Sequence, residues 1–172
     1  SFSGSVNRNP DQVKIGGLEI DFGDFNANLA GVVTRVGKIA AINATVGIPS
    51  MKANDLKKYW PPGTGGGARD WVLTNMREGT YNDTIANRTA RIPLEGKNAG
   101  ALTVDSINGR MNVTDVTIDY LSPLPPITGA NATATFSDTR FDFAAQSGAI
   151  GDLQLEDGAV NISGIGGDNE TL

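Results

Sequence analysis

Residues 17–29, GLEIDFGDFNANL, decide the fold class. Leu18, Ile20 and Phe22 fall on one face of an extended chain while Glu19 and Asp21 fall on the other, the period-two signature of a strand with one buried face. Gly23-Asp24 offers a turn, after which Phe25, Ala27 and Leu29 restore the alternation. The stretch therefore reads as an antiparallel hairpin. An apolar run from Ile39 to Ile48 supplies a further strand.

The same grammar returns downstream. Ala130, Ala132, Ala134 and Phe136 alternate with Asn131, Thr133 and Thr135, Ser137-Asp138 supplies a turn, and Phe141 and Phe143 answer on the return strand. Between the two hairpins, Leu102-Thr103-Val104 and Ile107 to Tyr120 read as strands, the second with Val116, Ile118 and Tyr120 on one face. Tyr81 to Leu94 is polar and rich in Asn and Thr, which predicts an exposed or edge strand. Ser122 to Ile127 carries three prolines and predicts an extended crossover; a polyproline ligand for a partner is the alternative. Gly148 is expected to break the chain before Leu153 and Leu155 open a last strand, with Asp157-Gly158 as a bulge or turn ahead of Val160 and Ile162. The recurring pattern of strand, Gly-Asp or Ser-Asp, and strand fits a stack of antiparallel hairpins.

One segment departs from β character. Leu56, Tyr59 and Trp60 share a helical face, with Ser50 as the expected N-cap and Pro61-Pro62 as the stop. A second helix is expected from Ala68, with Asp70 in its first turn, Trp71, Val72 and Met76 on one face, Arg77 in its last turn and Gly79 as its C-terminal stop. The helical insert thus spans residues 50–78. Gly63-Thr64-Gly65-Gly66-Gly67-Ala68 matches the letters of a dinucleotide fingerprint, but Tyr59-Trp60-Pro61-Pro62 cannot be the buried strand that must precede it. The run reads as a connector between helices.

Composition narrows the function. Aromatic residues make up 6% of the chain, a thin-core composition suited to an extended sheet. Net charge is −5 and the 14 basic residues are scattered, which argues against nucleic acid as a partner. With neither histidine nor cysteine, Ser-His-Asp and Cys-His catalysis, disulfides and the usual zinc sites are excluded. Asp115, Asp119, Asp138 and Asp142 sit where solvated faces and turns are expected, and few aromatics are present to line a sugar cleft. The chain is therefore expected not to be an enzyme and to need no cofactor or metal. Seven Asn-x-Ser/Thr sequons, at Asn43, Asn82, Asn87, Asn112, Asn131, Asn161 and Asn169, read as side chains on wet strand faces. No apolar run approaches the roughly 18 to 20 residues of a spanning helix.

The run YWPPGTGGGARDWVLTNMREG (59–79) followed by VTDVTIDYLSPLPPITGANATATFSDTRFDF (113–143) resembles the central region of the AsmA-like, YhdP-type envelope proteins of Gram-negative bacteria. Trp60, Pro61, Pro62, Gly63, Ala68, Arg69, Asp70 and Trp71, then Tyr120, Leu124, Pro125, Pro126 and Gly129, carry the resemblance, which covers residues 40–165. It implies a periplasmic protein anchored in the inner membrane that moves phospholipid towards the outer membrane along an apolar β groove. It also implies that this chain is one fragment of a longer repeating β protein, with membrane contact through other parts and envelope proteins as possible partners.

The expected fold is accordingly mainly β, an elongated, curved, groove-like antiparallel sheet of hairpins with a short two-helix insert. Val116, Ile118, Ala130, Ala132, Ala134, Phe136, Phe141, Phe143, Leu153 and Leu155 are the expected lipid-contacting residues. Small residues between aromatics leave room for an acyl chain, and each buried methylene contributes about 0.8 kcal/mol. From periodicity alone the same residues suit a protein core under Trp71 and Met76 equally well. The alternative function is a structural or adhesive β module acting through its sheet edges.

Overall fold

A computed structural model describes residues 2–8, 11–60 and 66–164. The strands are β1 (Phe2–Arg8), β2 (Asp11–Asp21), β3 (Asn26–Val36), β4 (Ile39–Lys52), β5 (Met76–Arg77), β6 (Thr80–Pro93), β7 (Thr103–Ile118), β8 (Ile127–Ser137), β9 (Arg140–Ile150) and β10 (Leu153–Ser163). Two short helices, α1 (Leu56–Tyr59) and α2 (Gly66–Asn75), stand between β4 and β5. All pairings are antiparallel, and the sheet runs β1-β2-β3-β4-β6-β7-β8-β9-β10 without closing. It is one continuous meander.

The two-residue β5 is an outlying piece of β6. Met76 stands opposite Ile118 and Thr80 opposite Thr114, so both segments keep one register along β7. Glu78 and Gly79 interrupt them in the left-handed region, each at φ 63°. A Cβ on Gly79 would run into the Thr114 and Asp115 carbonyl oxygens, so glycine is required there twice over. Gly79 therefore ends a strand interruption, two residues beyond the strand that follows the helix, and the expected helix cap is corrected.

The 17–29 hairpin forms in the expected register, with Leu18 opposite Leu29 and Ile20 opposite Ala27. Its tip is closed by Phe22 N–H donating to Phe25 O at 2.9 Å and Gly23 N–H donating to Asp21 Oδ1 at 2.7 Å. Phe136 likewise meets Phe141 and Ala134 meets Phe143 in the second hairpin. Residues 103–118 form one unbroken strand rather than two.

Four expectations are corrected. Tyr81–Leu94 is not an edge: β6 lies mid-sheet between β4 and β7. Its polar residues decorate the outer face instead, where Asn82 accepts from Ser50 at 2.9 Å and donates to Thr114 at 3.1 Å, and Asn87 links Thr45 to Asn108. Ser50 is a β4 residue, since hydrogen bonding along the sheet carries β4 to Lys52, opposite Thr80, before the helical turns begin. Residues 121–126 join adjacent strands β7 and β8 as a hairpin loop, closed by Leu124 N–H donating to Leu121 O, and not as a crossover. Gly148 does not end a strand, because β9 continues to Ile150; a Cβ there would lie 3.0 Å from Ile127 Cγ2, so its bareness permits close approach to β8.

The sheet is strongly curved. Ile20 on β2 and Phe141 on β9 lie six strand steps apart, about 29 Å along a flat sheet, yet both line one hollow. The concave inner face carries the core, and the helices sit on it.

Candidate functional site

The inner face is covered in two different ways. Over β7 to β10, α2 lies directly on the sheet: Trp71 stacks against Phe141 with ring centres 5.8 Å apart and meets Phe143 at 6.1 Å, while Val72 is wholly buried. Trp71, Val72 and Met76 do share the inward direction read from their spacing, although Met76 belongs to β5. The turn of chain back to the sheet is fixed by Asp119 N–H donating to Asn75 O at 2.8 Å and by the Arg77–Asp119 ion pair.

Most of the residues expected to touch lipid lie beneath this cover. Val116, Ile118, Ala130, Ala132, Ala134, Phe141 and Phe143 are buried, Ala134 completely. The void that Ile118, Ala130, Ala132 and Phe143 share with Ile162 measures about 10 Å³, room for no more than one water. Leu155 is half-buried against the core, and Leu153 is 73% exposed at the start of edge strand β10. Of the ten, Phe136 and Phe141 also line a second, larger hollow.

That space lies over the other half of the sheet. A hollow of about 430 Å³ is floored by Ala27, Leu29, Ala44, Val46, Ile48 and Ala86 from β3, β4 and β6, and roofed by Leu56, Tyr59, Trp60 and Val72. Its volume falls in the range of small-molecule pockets. The sequence explains the opening: where β8 and β9 raise phenylalanines to meet α2, β3, β4 and β6 present Ala27, Ala44 and Ala86 in the same layer. Two further hollows, about 360 and 530 Å³, are lined largely by Asn, Thr and charged residues of the polar ladders, Arg88 bordering the first.

The roof is held at its far side by α1. Leu56, Tyr59 and Trp60 do present one face, and it points into the hollow. Tyr59 packs edge-on to Phe25 at 4.7 Å and to Phe22 at 5.2 Å. Lys58 Nζ and Tyr59 Oη both donate to Asp24 Oδ2 at 2.7 Å. These bonds, the one from Lys58 first, hold the Asp24 carboxyl below its ordinary range, and the same carboxylate pushes Lys58 upward. The pair latches the helix to the β2–β3 tip, while Arg69 Nε donating to Trp60 O at 3.0 Å ties α2 back to α1. Pro61 to Gly65, which complete the Trp-Pro-Pro-Gly pattern, lie outside the described residues.

Three polar groups of β6 line the hollow and were not expected from the sequence. Tyr81 Oη and Thr84 Oγ1 are buried without a hydrogen-bond partner among the described residues. Each such hydroxyl costs about 1 to 3 kcal/mol. Burial pushes the Tyr81 phenol well above its ordinary range, so it is a neutral donor. The third is Arg88, half-buried on the same face. A legible signal for it was the alternation Thr84, Ala86, Arg88, Ala90, Ile92, in which a charge occupies a position whose neighbours two residues away are apolar.

No residue set capable of holding a metal occurs among the described residues, and no described helix is long and apolar enough to cross a membrane. Comparison of the chain with protein-family models, with curated proteins and with solved structures returned no match.

Proposed function

We propose that the chain is a non-enzymatic lipid-binding segment in which the acyl part of a phospholipid occupies the inner-face hollow. The observation that carries this reading is the 430 Å³ hollow, floored by alanine, leucine, valine and isoleucine and roofed by an amphipathic strap that the chain itself provides. A hydrocarbon chain there exchanges water for apolar side chains, gaining about 0.8 kcal/mol per methylene without a charged partner for the tail. No bond chemistry is involved. Together with the resemblance to the AsmA-like envelope proteins, this supports a role in the periplasm of a Gram-negative cell, as part of an inner-membrane-anchored assembly that passes phospholipid towards the outer membrane.

The sealed half of the sheet favours a second reading, a structural β module that binds other proteins through its edges. Native mass spectrometry of protein purified without detergent separates them. Co-purifying phospholipid that is lost in Ala86→Trp, a change that fills the hollow, supports lipid binding. Wild-type protein found only as a lipid-free monomer, at the mass of its polypeptide alone, refutes it.

A further inference from the structure

We infer that the hollow selects an amphiphile with an anionic head, and that Arg88 is the residue that receives the head. The inference rests on the reading that an acyl chain occupies the hollow and adds its chemical class.

The pairing register fixes the surroundings of Arg88. It stands opposite Ala44 on β4 and Ile107 on β7, and Ala44 in turn stands opposite Gly31, which stands opposite Ile15. The row across the inner face is therefore Ile15, Gly31, Ala44, Arg88, Ile107, and the acid at its end, Asp138, is engaged by the Ile107 N–H, which donates to Asp138 Oδ1 at 3.0 Å. The neighbouring rows are no more compensating: Ala86 stands between Val46 and Gly109, and Ala90 between Ile42 and Val104. Arg35, Arg69, Arg77, Arg91 and Arg140 each have an ion pair to a named group, and Arg110 lies on the outer-face row with Asn108 and Asn112. Arg88 has none among the described residues.

A half-buried guanidinium without a carboxylate is a poor structural element, because it forfeits hydration without gaining a partner. Its planar fork matches the oxygens of a carboxylate or phosphate, with two parallel donors. Its small neighbour Ala44 lines the same hollow beside it. The unpartnered hydroxyls of Tyr81 and Thr84, on the same strand and in the same hollow, give an independent sign that polar groups there serve something other than the protein. An oxyanion at Arg88 with its chain running beneath α1 uses both features of the site.

The test holds chain length constant and varies the head. Laurate, dodecyl phosphate, dodecyltrimethylammonium and dodecanol are titrated into the full chain by displacement of a fluorescent fatty-acid probe, with wild type, Arg88→Gln and Arg88→Lys. Wild type is expected to bind one or both anions at least about tenfold more tightly than the cation, as charge-assisted hydrogen bonds predict. Tighter laurate assigns a carboxylate, tighter dodecyl phosphate a phosphate. Arg88→Gln is expected to lose that preference while keeping dodecanol affinity within about twofold, and Arg88→Lys to retain part of it. Equal binding of all four probes by wild type overturns the role of Arg88 and leaves an unselective lipid site standing. Absence of binding by every probe overturns both readings. The head-group comparison in wild type needs no variant to fold.

Discussion

The two halves of the inner face are built from the same strands-and-alternation grammar, yet one is filled and the other is hollow. Over β8 and β9 the layer above the alanines is occupied by Phe141, Phe143 and Trp71, which stack on one another and close the space. Over β3, β4 and β6 the equivalent layer is left to a four-residue helix, latched to the β2–β3 tip through Tyr59. What differs is how much side-chain volume the covering segment delivers, and whether its polypeptide lies on the sheet or bridges across it.

The contrast is broken most severely by removing the filler. Trp71→Ala is expected to lower the unfolding free energy by about 3 to 5 kcal/mol in urea titrations, because the stacked pair beneath cannot collapse into the gap. A loss under 1 kcal/mol would mean that the filled half is no better packed than the hollow one. Matched enlargements sharpen the difference: Ala134→Leu, under α2, is expected to cost about 1 to 3 kcal/mol, whereas Ala86→Leu, on the hollow's floor, costs less than that and reduces bound lipid. Equal costs would contradict the open space. Gly79→Ala tests the joint between the halves and is expected to cost more than about 1 kcal/mol, since its positive φ and the facing carbonyls both oppose a side chain.

The smallest effect concerns the latch. Asp24 has a depressed folded-state pKa, so its contribution to holding α1 is present above the ordinary carboxylate value of 3.8 and is lost as pH falls through the lower folded value. Titration of the Asp24 carboxyl by NMR is expected to give a midpoint below 3.8, and Lys58→Met is expected to move that midpoint upward. The pair is exposed, so salt screens it and global stability changes little. An unchanged midpoint in Lys58→Met would show that Lys58 does not contribute to the latch.

Local pattern carried the hairpins. Leu18, Ile20 and Phe22 against Phe25, Ala27 and Leu29 define their own register because the turn fixes it, and the same is true of residues 130–143. The inward side of α2 was legible for the same reason: Trp71 and Val72 are consecutive bulky residues on a short helix. The position of β6 was not legible. Its Asn and Thr residues resemble an edge, and only long-range pairing to β4 and β7 reveals that they form hydrogen-bonded ladders on the solvent face of a central strand. The location of the hollow was hidden for a related reason. Ala130, Ala132 and Ala134 and the floor residues Ala27, Ala44 and Ala86 are equally small, and what distinguishes them is where a distant helix comes to rest.

Lys52 and Thr80 face each other across the β4–β6 pair, although 27 residues separate them in the chain. Both helices thus belong to an expanded hairpin tip, and a turn of a few residues joining those two positions would leave the β4–β6 ladder intact. Strand alignment is consequently independent of the shelter's length: outside the Trp71, Val72 and Met76 anchor, the region between Lys52 and Thr80 can vary, retuning what the concavity admits, while the ladder beneath keeps its alignment.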